Sequence, residues 1–255
     1  MNELGSLKWF LGIHVLQDRA KRLLWLSQES YIDKIANQYR VDLTGKMPST
    51  PMTDELYPYD EKASNAAIRT YQQKTSSILF AAITTRPDVA FAASRLARFN
   101  TNLSNIHHKA ADRTIQYLYG TKGKALRYGG DDNEARSFIC ASDASFADNT
   151  LDRKSSQGYI MLLFGGAIAW KANKQNTVTT SSTEAELLAL SQTAKEAIFT
   201  SQLLKALTLQ LNEPLVIECD NSQTLRLVME ESMKLSTKLR HIDIYNHWLC
   251  QKYAE

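Results

Sequence analysis

The sequence lacks the features that would place it in a membrane, a disulfide-stapled scaffold or a zinc fold. Its three cysteines, Cys140, Cys219 and Cys250, are odd in number, scattered, and never in C-x-x-C spacing. That usage argues against both a disulfide framework and a zinc site and favours a reducing setting. No apolar run approaches the ~20 residues that a bilayer-spanning helix needs. The opening MNELGSLKWFLGI also lacks the layout of a signal peptide. An intracellular chain with no membrane partner is therefore expected. No G-x-x-x-x-G-K-[ST] phosphate loop occurs, which counts against nucleotide hydrolysis, and His241 and His247 follow no H-E-x-x-H spacing.

What is present suits a folded protein: 255 residues, 44% hydrophobic and 22% charged. This is enough for one large domain or two modest ones. The net charge of +3 conceals an asymmetry. Residues 1–130 hold 18 Lys/Arg against 11 Asp/Glu, or +7, while residues 131–255 hold 12 against 16, or −4. A basic half is attracted to phosphate backbones, and an acidic half needs cations to approach them. On charge alone, two ordinary solvated surfaces explain the imbalance equally well.

Periodicity divides the chain near YGGDDNEARS, residues 128–137. Before it, SLKWFLGIHVLQDRAKRLLWLSQ predicts two strands around a turn near Asp18–Lys21. A helix over QESYIDKIANQY follows, with Tyr31, Ile32, Ile35 and Ala36 on one face. The proline-bearing stretch 45–67 reads as loop. Helices are expected over 69–85, over 87–100 with Pro87 in its first turn, and over 104–121. After the break the order is β-β-β-α-β-α-α. It comprises a strand over RSFICASDAS, a hairpin turning at Gly165–Gly166, a β-rich NTVTTSS, and a long helix from about Thr183 to Leu207. A buried strand over PLVIECDNS and two more helices complete it. The fold class is α/β of the mixed α+β kind: a mixed sheet flanked by helices, preceded by a mainly helical region with a short N-terminal β-hairpin.

Three acids stand out. Asp143 lies where FICASDAS leaves a hydrophobic strand, and Asp220 follows LVIECD in the same way. Ligands collect at the carboxyl ends of strands in open α/β sheets, although either Asp could equally begin a turn or cap a helix. On the 183–207 helix, Leu187, Leu190, Ala194, Ala197 and Ile198 share one face. Glu186 lies about 60° from its centre and Glu184 about 100° away on the other side. Glu184 is therefore expected on the solvent side, completing a capping box with Ser181. Glu186 is the costly acid, because an unpaired carboxylate near a core costs several kcal/mol, a cost a divalent cation would offset. An Asp, Glu, Asp set is all oxygen and suits Mg²⁺ or Mn²⁺ rather than zinc.

These residues carry a family resemblance along essentially the whole chain. LKWFLGI, MPSTPM, TRPDVAFAASRLARF, HHKAADRTIQYLYGT, SDASFADNTLDRKSSQGYIMLLFGGAIAWKANKQNTVTTSSTEAELLAL, CDN and RHIDIYNHW occur in order and spacing. Together they resemble the C-terminal part of the Pol polyprotein of Ty1/copia-type LTR retrotransposons. The resemblance implies that residues 1–130 are the end of a reverse-transcriptase palm with a thumb/connection-like region. It implies that residues 131–255 are a ribonuclease H domain with a five-stranded mixed sheet. By the same resemblance, Asp143, Glu186 and Asp220 are the metal-binding catalytic carboxylates, with Asp143 bridging two Mg²⁺ or Mn²⁺ ions. The substrate would be the RNA strand of an RNA–DNA hybrid, and the partners other Pol and Gag fragments in a cytoplasmic particle or the nucleus. The polymerase Y-[VL]-D-D motif does not occur, so polymerase activity is not expected. Family members continue into a fifth strand and an A-D-x-L-T-K motif with a fourth acid, whereas this sequence stops at CQKYAE, and Asp243 of HID matches that acid poorly. The alternative to a hydrolase is thus a truncated Pol remnant that binds nucleic acid without cutting it.

Of the remaining features, His107–His108 opens a helix and is expected at the surface or in hybrid contact. The four tryptophans, Trp9, Trp25, Trp170 and Trp248, are assigned to packing before base stacking. Arg95, Arg98, Lys109 and Arg113 are either a basic face or a solvated one.

Overall fold

The computed structural model describes residues 5–53, 55–129, 137–209, 211, 214–229 and 240–254. The chain divides into two units, Met1–Gly130 and Asp131–Glu255.

In the first unit, β1 (Trp9–Phe10), β2 (Ile13–Asp18), β3 (Leu23–Ser27) and β4 (Leu126–Tyr128) form an antiparallel sheet in that order. The β2–β3 hairpin is the one expected around the turn near Asp18–Lys21. Strands β1 and β4 extend it on either side, and β4 pairs Leu24 with Tyr128 and Leu26 with Leu126. Gly129 ends that strand at φ +75°, where a Cβ would stand 2.3 Å from the Arg22 carbonyl oxygen, so only glycine fits. Helices α1 (Glu29–Gln38), α2 (Asn65–Thr84), α3 (Ala90–Ala97) and α4 (Asn105–Gly120) enclose one core. Ile32, Ile35, Tyr71, Ile78, Leu96, Ile115 and Leu118 are buried in it. Ser64 caps α2 through the Ala67 N–H, and Pro87 opens a single 3-10 turn before α3.

This unit also holds the largest fully buried side chain among the described residues, Arg86, at 1% exposure. Its guanidinium donates from Nε and Nη2 to the two Asp88 oxygens at 2.9 and 2.7 Å, and to the carbonyl and hydroxyl of Thr121. The Tyr117 hydroxyl donates to the same Asp88 carboxylate at 2.8 Å. The planar fork matches the carboxylate on one side and the end of α4 on the other.

In the second unit, β5 (Phe138–Ser145), β6 (Ser156–Leu163), β7 (Gly166–Lys174) and β8 (Ile217–Cys219) form a sheet of order β7-β6-β5-β8. The β5–β8 pairing is parallel and the others are antiparallel. This mixed sheet and its long helix α5 (Ser182–Ala206), followed by α6 (Ser222–Met229) and α7 (Arg240–Ala254), give an RNase H-like order of elements. Three expectations shift. Strand β8 is half-buried, not fully buried, and pairs only through Cys140–Ser142, so it lies at the edge of the four described strands. The hairpin turns one residue early, at Phe164–Gly165, both at positive φ as a tight two-residue turn requires. The stretch NTVTTSS is not a strand: its threonines are drawn off to side-chain bonds, Thr179 with the Ser155 hydroxyl and Thr180 with Glu184.

Helix α5 is covered on more than one side. Leu187, Leu190 and Ala194 pack with Leu249 of α7, while Ala197 joins Phe138, Cys140 and Met161 of the sheet. Among the described residues, no helix is long and apolar enough to cross a membrane.

Candidate metal centre

Asp143 lies on β5 one residue beyond Ser142, the last position paired to β8. It is exposed, as is Asp220, which directly follows β8. Because β5 and β8 run parallel, their carboxyl ends finish together and bring the two acids to one rim of the sheet. The register places Gly158 of β6 opposite Asp143 and Ala172 of β7 opposite Gly158. The row beside Asp143 thus has almost no side chain, which leaves its carboxylate open to approach. At the other end of the motif, Asn221 accepts the Thr224 N–H and takes the cap of α6, so the turn role that Asp220 could have filled belongs to its neighbour.

Glu186 enters from the first turns of α5. It is 6% exposed and accepts a hydrogen bond from the Ala144 backbone N–H. Its Oε2 is buried with no hydrogen-bond partner. Burial first, and then the negative charges of Asp143 and Asp220, push the Glu186 carboxyl up to about 7, against the lowering effect of the Ala144 bond. A carboxylate oxygen of Glu186, one of Asp220 and the Cys219 sulfur all lie within 4.8 Å of one another. A bound cation would offset both the buried orphan oxygen and the concentration of like charge. The oxygen donors suit hard divalent ions, so the residues present fit Mg²⁺ or Mn²⁺.

Glu184 corrects an expectation. It is not on the solvent side but buried, at 3% exposure. Ser181 does accept the Glu184 N–H at 3.1 Å as the cap. The Glu184 carboxylate, however, reaches past Ser181 to the N–H and hydroxyl of Thr180, at 2.6 and 2.7 Å. A helical wheel with one apolar face misplaces it because α5 has two covered sides. Gln175, also buried, ties the helix start to the sheet by donating to the Ala185 carbonyl and the Gln157 side chain. A glutamine after a strand carried no sequence signal for that role.

Other candidates take structural places. His107 is buried and caps α4, its Nδ1 accepting the Ser104 N–H at 3.0 Å, so it is not a surface contact. Arg95 is buried and its guanidinium lies 5.9 Å from the Phe91 ring centre, while Arg98 and Arg113 are half-buried. Lys109 alone of the four is exposed, so they do not form a basic face. Trp9 is half exposed and stacks on His14 at 4.5 Å, whereas Trp25, Trp170 and Trp248 are half-buried. The side chains of His241 and Asp243 lie outside the described residues.

No protein-family model matches the chain. Curated relatives do. The chain is 34% identical over 98% of its length to the retrovirus-related Pol polyprotein from transposon TNT 1-94 of Nicotiana tabacum, covering 19% of that protein. It is 32% identical over 98% of its length to the Pol polyprotein from transposon RE2 of Arabidopsis thaliana, covering 17% of it. To that from transposon RE1 of the same plant it is 33% identical over 96%, covering 16%. The chain thus spans less than a fifth of the length of these relatives.

Proposed function

Because this chain belongs to the Pol polyproteins of Ty1/copia-type retrotransposons, we propose that its second unit is a ribonuclease H that cleaves the RNA strand of RNA–DNA hybrids. The observation that carries the reading is Glu186: a buried carboxylate with an unpartnered oxygen, close to Asp220 and under the negative charge of both Asp143 and Asp220. Two Mg²⁺ or Mn²⁺ ions would lower the pKa of an attacking water and neutralise charge on the phosphodiester. Asp143, Glu186 and Asp220 would hold them. Asp143, open beside Gly158 and Ala172, faces the approach of a nucleic-acid backbone with least obstruction. Glu186, fixed by the Ala144 N–H, keeps its oxygen in place without reorganisation. The other Pol and Gag products of such an element are the expected partners, inside the cell where reverse transcription proceeds.

The reading is tested with a hybrid labelled on its RNA strand, incubated with the full chain in Mn²⁺, in Mg²⁺ and in chelator. Metal-dependent shortening of the RNA, with the DNA strand and single-stranded RNA left intact, is expected. Salt-sensitive binding with no product in either metal would replace the hydrolase by a hybrid-binding remnant.

A further inference from the structure

Cys219 has no part in that reading, yet its sulfur sits in the same cluster. Residue 219 is the last of β8, half-buried, and its Sγ lies within 4.8 Å of ligand oxygens of both Glu186 and Asp220. The Asn221 backbone N–H donates to this sulfur, fixing its direction. The second, independent observation is the Glu186 Oε2, buried and without a hydrogen-bond partner in the same cluster. Zinc–oxygen and zinc–sulfur bonds run about 2.0–2.3 Å, so a single ion between these three atoms needs only small side-chain rotations to meet them all.

We propose that Cys219 is a ligand in the carboxylate site, so that the site also takes thiophilic divalent ions such as Zn²⁺ or Cd²⁺ through a mixed sulfur–oxygen set. This rests on the cation site proposed above and adds a donor of different chemistry to it. Thiolate favours softer ions, whereas carboxylate alone favours Mg²⁺ and Mn²⁺. On coordination the thiol proton passes to solvent and the sulfur lone pair forms the metal bond, with no oxidant or reductant involved. Zinc and magnesium therefore compete for one place. The sequence argued against zinc because Cys219 has no partner cysteine nearby along the chain. The fold supplies its partners instead from α5 and from the turn after β8.

Titration of the chelator-stripped 255-residue chain with Cd²⁺ tests this by the sulfur-to-cadmium charge-transfer absorption. One equivalent of band is expected in the parent and none in Cys219→Ser, which retains Cys140 and Cys250. Cd²⁺ affinity should fall at least about tenfold in that variant, while Mn²⁺ affinity changes by less than about threefold, since the hard ion relies on the oxygens. Absence of the band in the parent, or its survival in Cys219→Ser, overturns the assignment. A parallel Mn²⁺ titration separates the two readings: Mn²⁺ binding without the cadmium band rejects Cys219 and leaves the carboxylate site standing. Failure to bind Mn²⁺ rejects the carboxylate site itself.

Discussion

Glu186 is the residue on which the proposed chemistry turns, and the direction in which its proton shifts stability can be checked. In the metal-free folded chain its carboxyl titrates at about 7 instead of 4.5, so the folded state holds a proton that the unfolded state has released. Its contribution to stability is therefore intact below 4.5 and declines as pH rises through 7. Glu186→Gln removes that penalty. In chelator, the variant should be as stable as the parent at pH 4.5 and more stable at pH 8, by something on the order of 2 kcal/mol, in urea titrations. An equal difference at both pH values would show that the carboxyl is not strained by burial and its acidic neighbours. The helix period pointed to Glu186 on the core side, and its burial agrees. The same argument misplaced Glu184, because a wheel drawn for one apolar face cannot register that the sheet and α7 both cover α5. Cys219 stands next to Asp220 in the CDN motif, but its proximity to Glu186 had no signal in sequence, since the two lie more than thirty residues apart.

At the scale of elements, polar groups fix the ends. Ser181 accepts the Glu184 N–H at the start of α5, and Ser181→Ala should cost about 1 kcal/mol. Thermal melting should show the loss whether or not metal is present. The Arg86 fork is a larger commitment, joining the turn before α3 to the end of α4. Arg86→Met takes the guanidinium donors from the Thr121 carbonyl and leaves the Asp88 carboxylate with the Tyr117 hydroxyl as its remaining side-chain donor, and should cost about 3 kcal/mol or more in urea titration. The exposed pair Lys21–Asp18 provides the contrast. Asp18→Asn should change stability by less than about 1 kcal/mol. An Arg86→Met effect no larger than that would mean the buried fork does not join these elements. Sequence showed where α1, α4 and α5 begin, since Ser and the apolar period are local signals. But it started α2 at 69, whereas Ser64 caps that helix within the stretch read as loop, and it ran one helix over 87–100 where α3 covers only Ala90–Ala97. It did not show Arg86 at work, because a charged residue in TRPD looks like any surface arginine until the fold buries it.

For the whole molecule, element order was legible in the second unit, less so in the first, where β1 and β4 went unread, and pairing was legible in neither beyond the two hairpins. The β-β-β-α-β-α-α order follows from local patterns, whereas β4 joins β3 across about a hundred residues and β8 pairs through only three. Such contacts are settled by tertiary packing, which no local window contains. The charge division belongs to this scale as well. With +7 on residues 1–130 and −4 on residues 131–255, hybrid affinity should fall steeply as salt rises from ~50 to ~200 mM. A salt-independent affinity, measured by fluorescence anisotropy, would remove the phosphate backbone from the interaction.

Asp143, Glu186 and Asp220 are proposed to hold the ions that hydrolyse the RNA of a hybrid. The most direct test compares the full chain with Asp143→Asn in Mn²⁺ on one labelled hybrid, following cleavage and binding in the same samples. A loss of cleavage of roughly a hundredfold or more is expected, with hybrid binding and the thermal melt retained. Cleavage by Asp143→Asn at the parental rate would contradict the proposal.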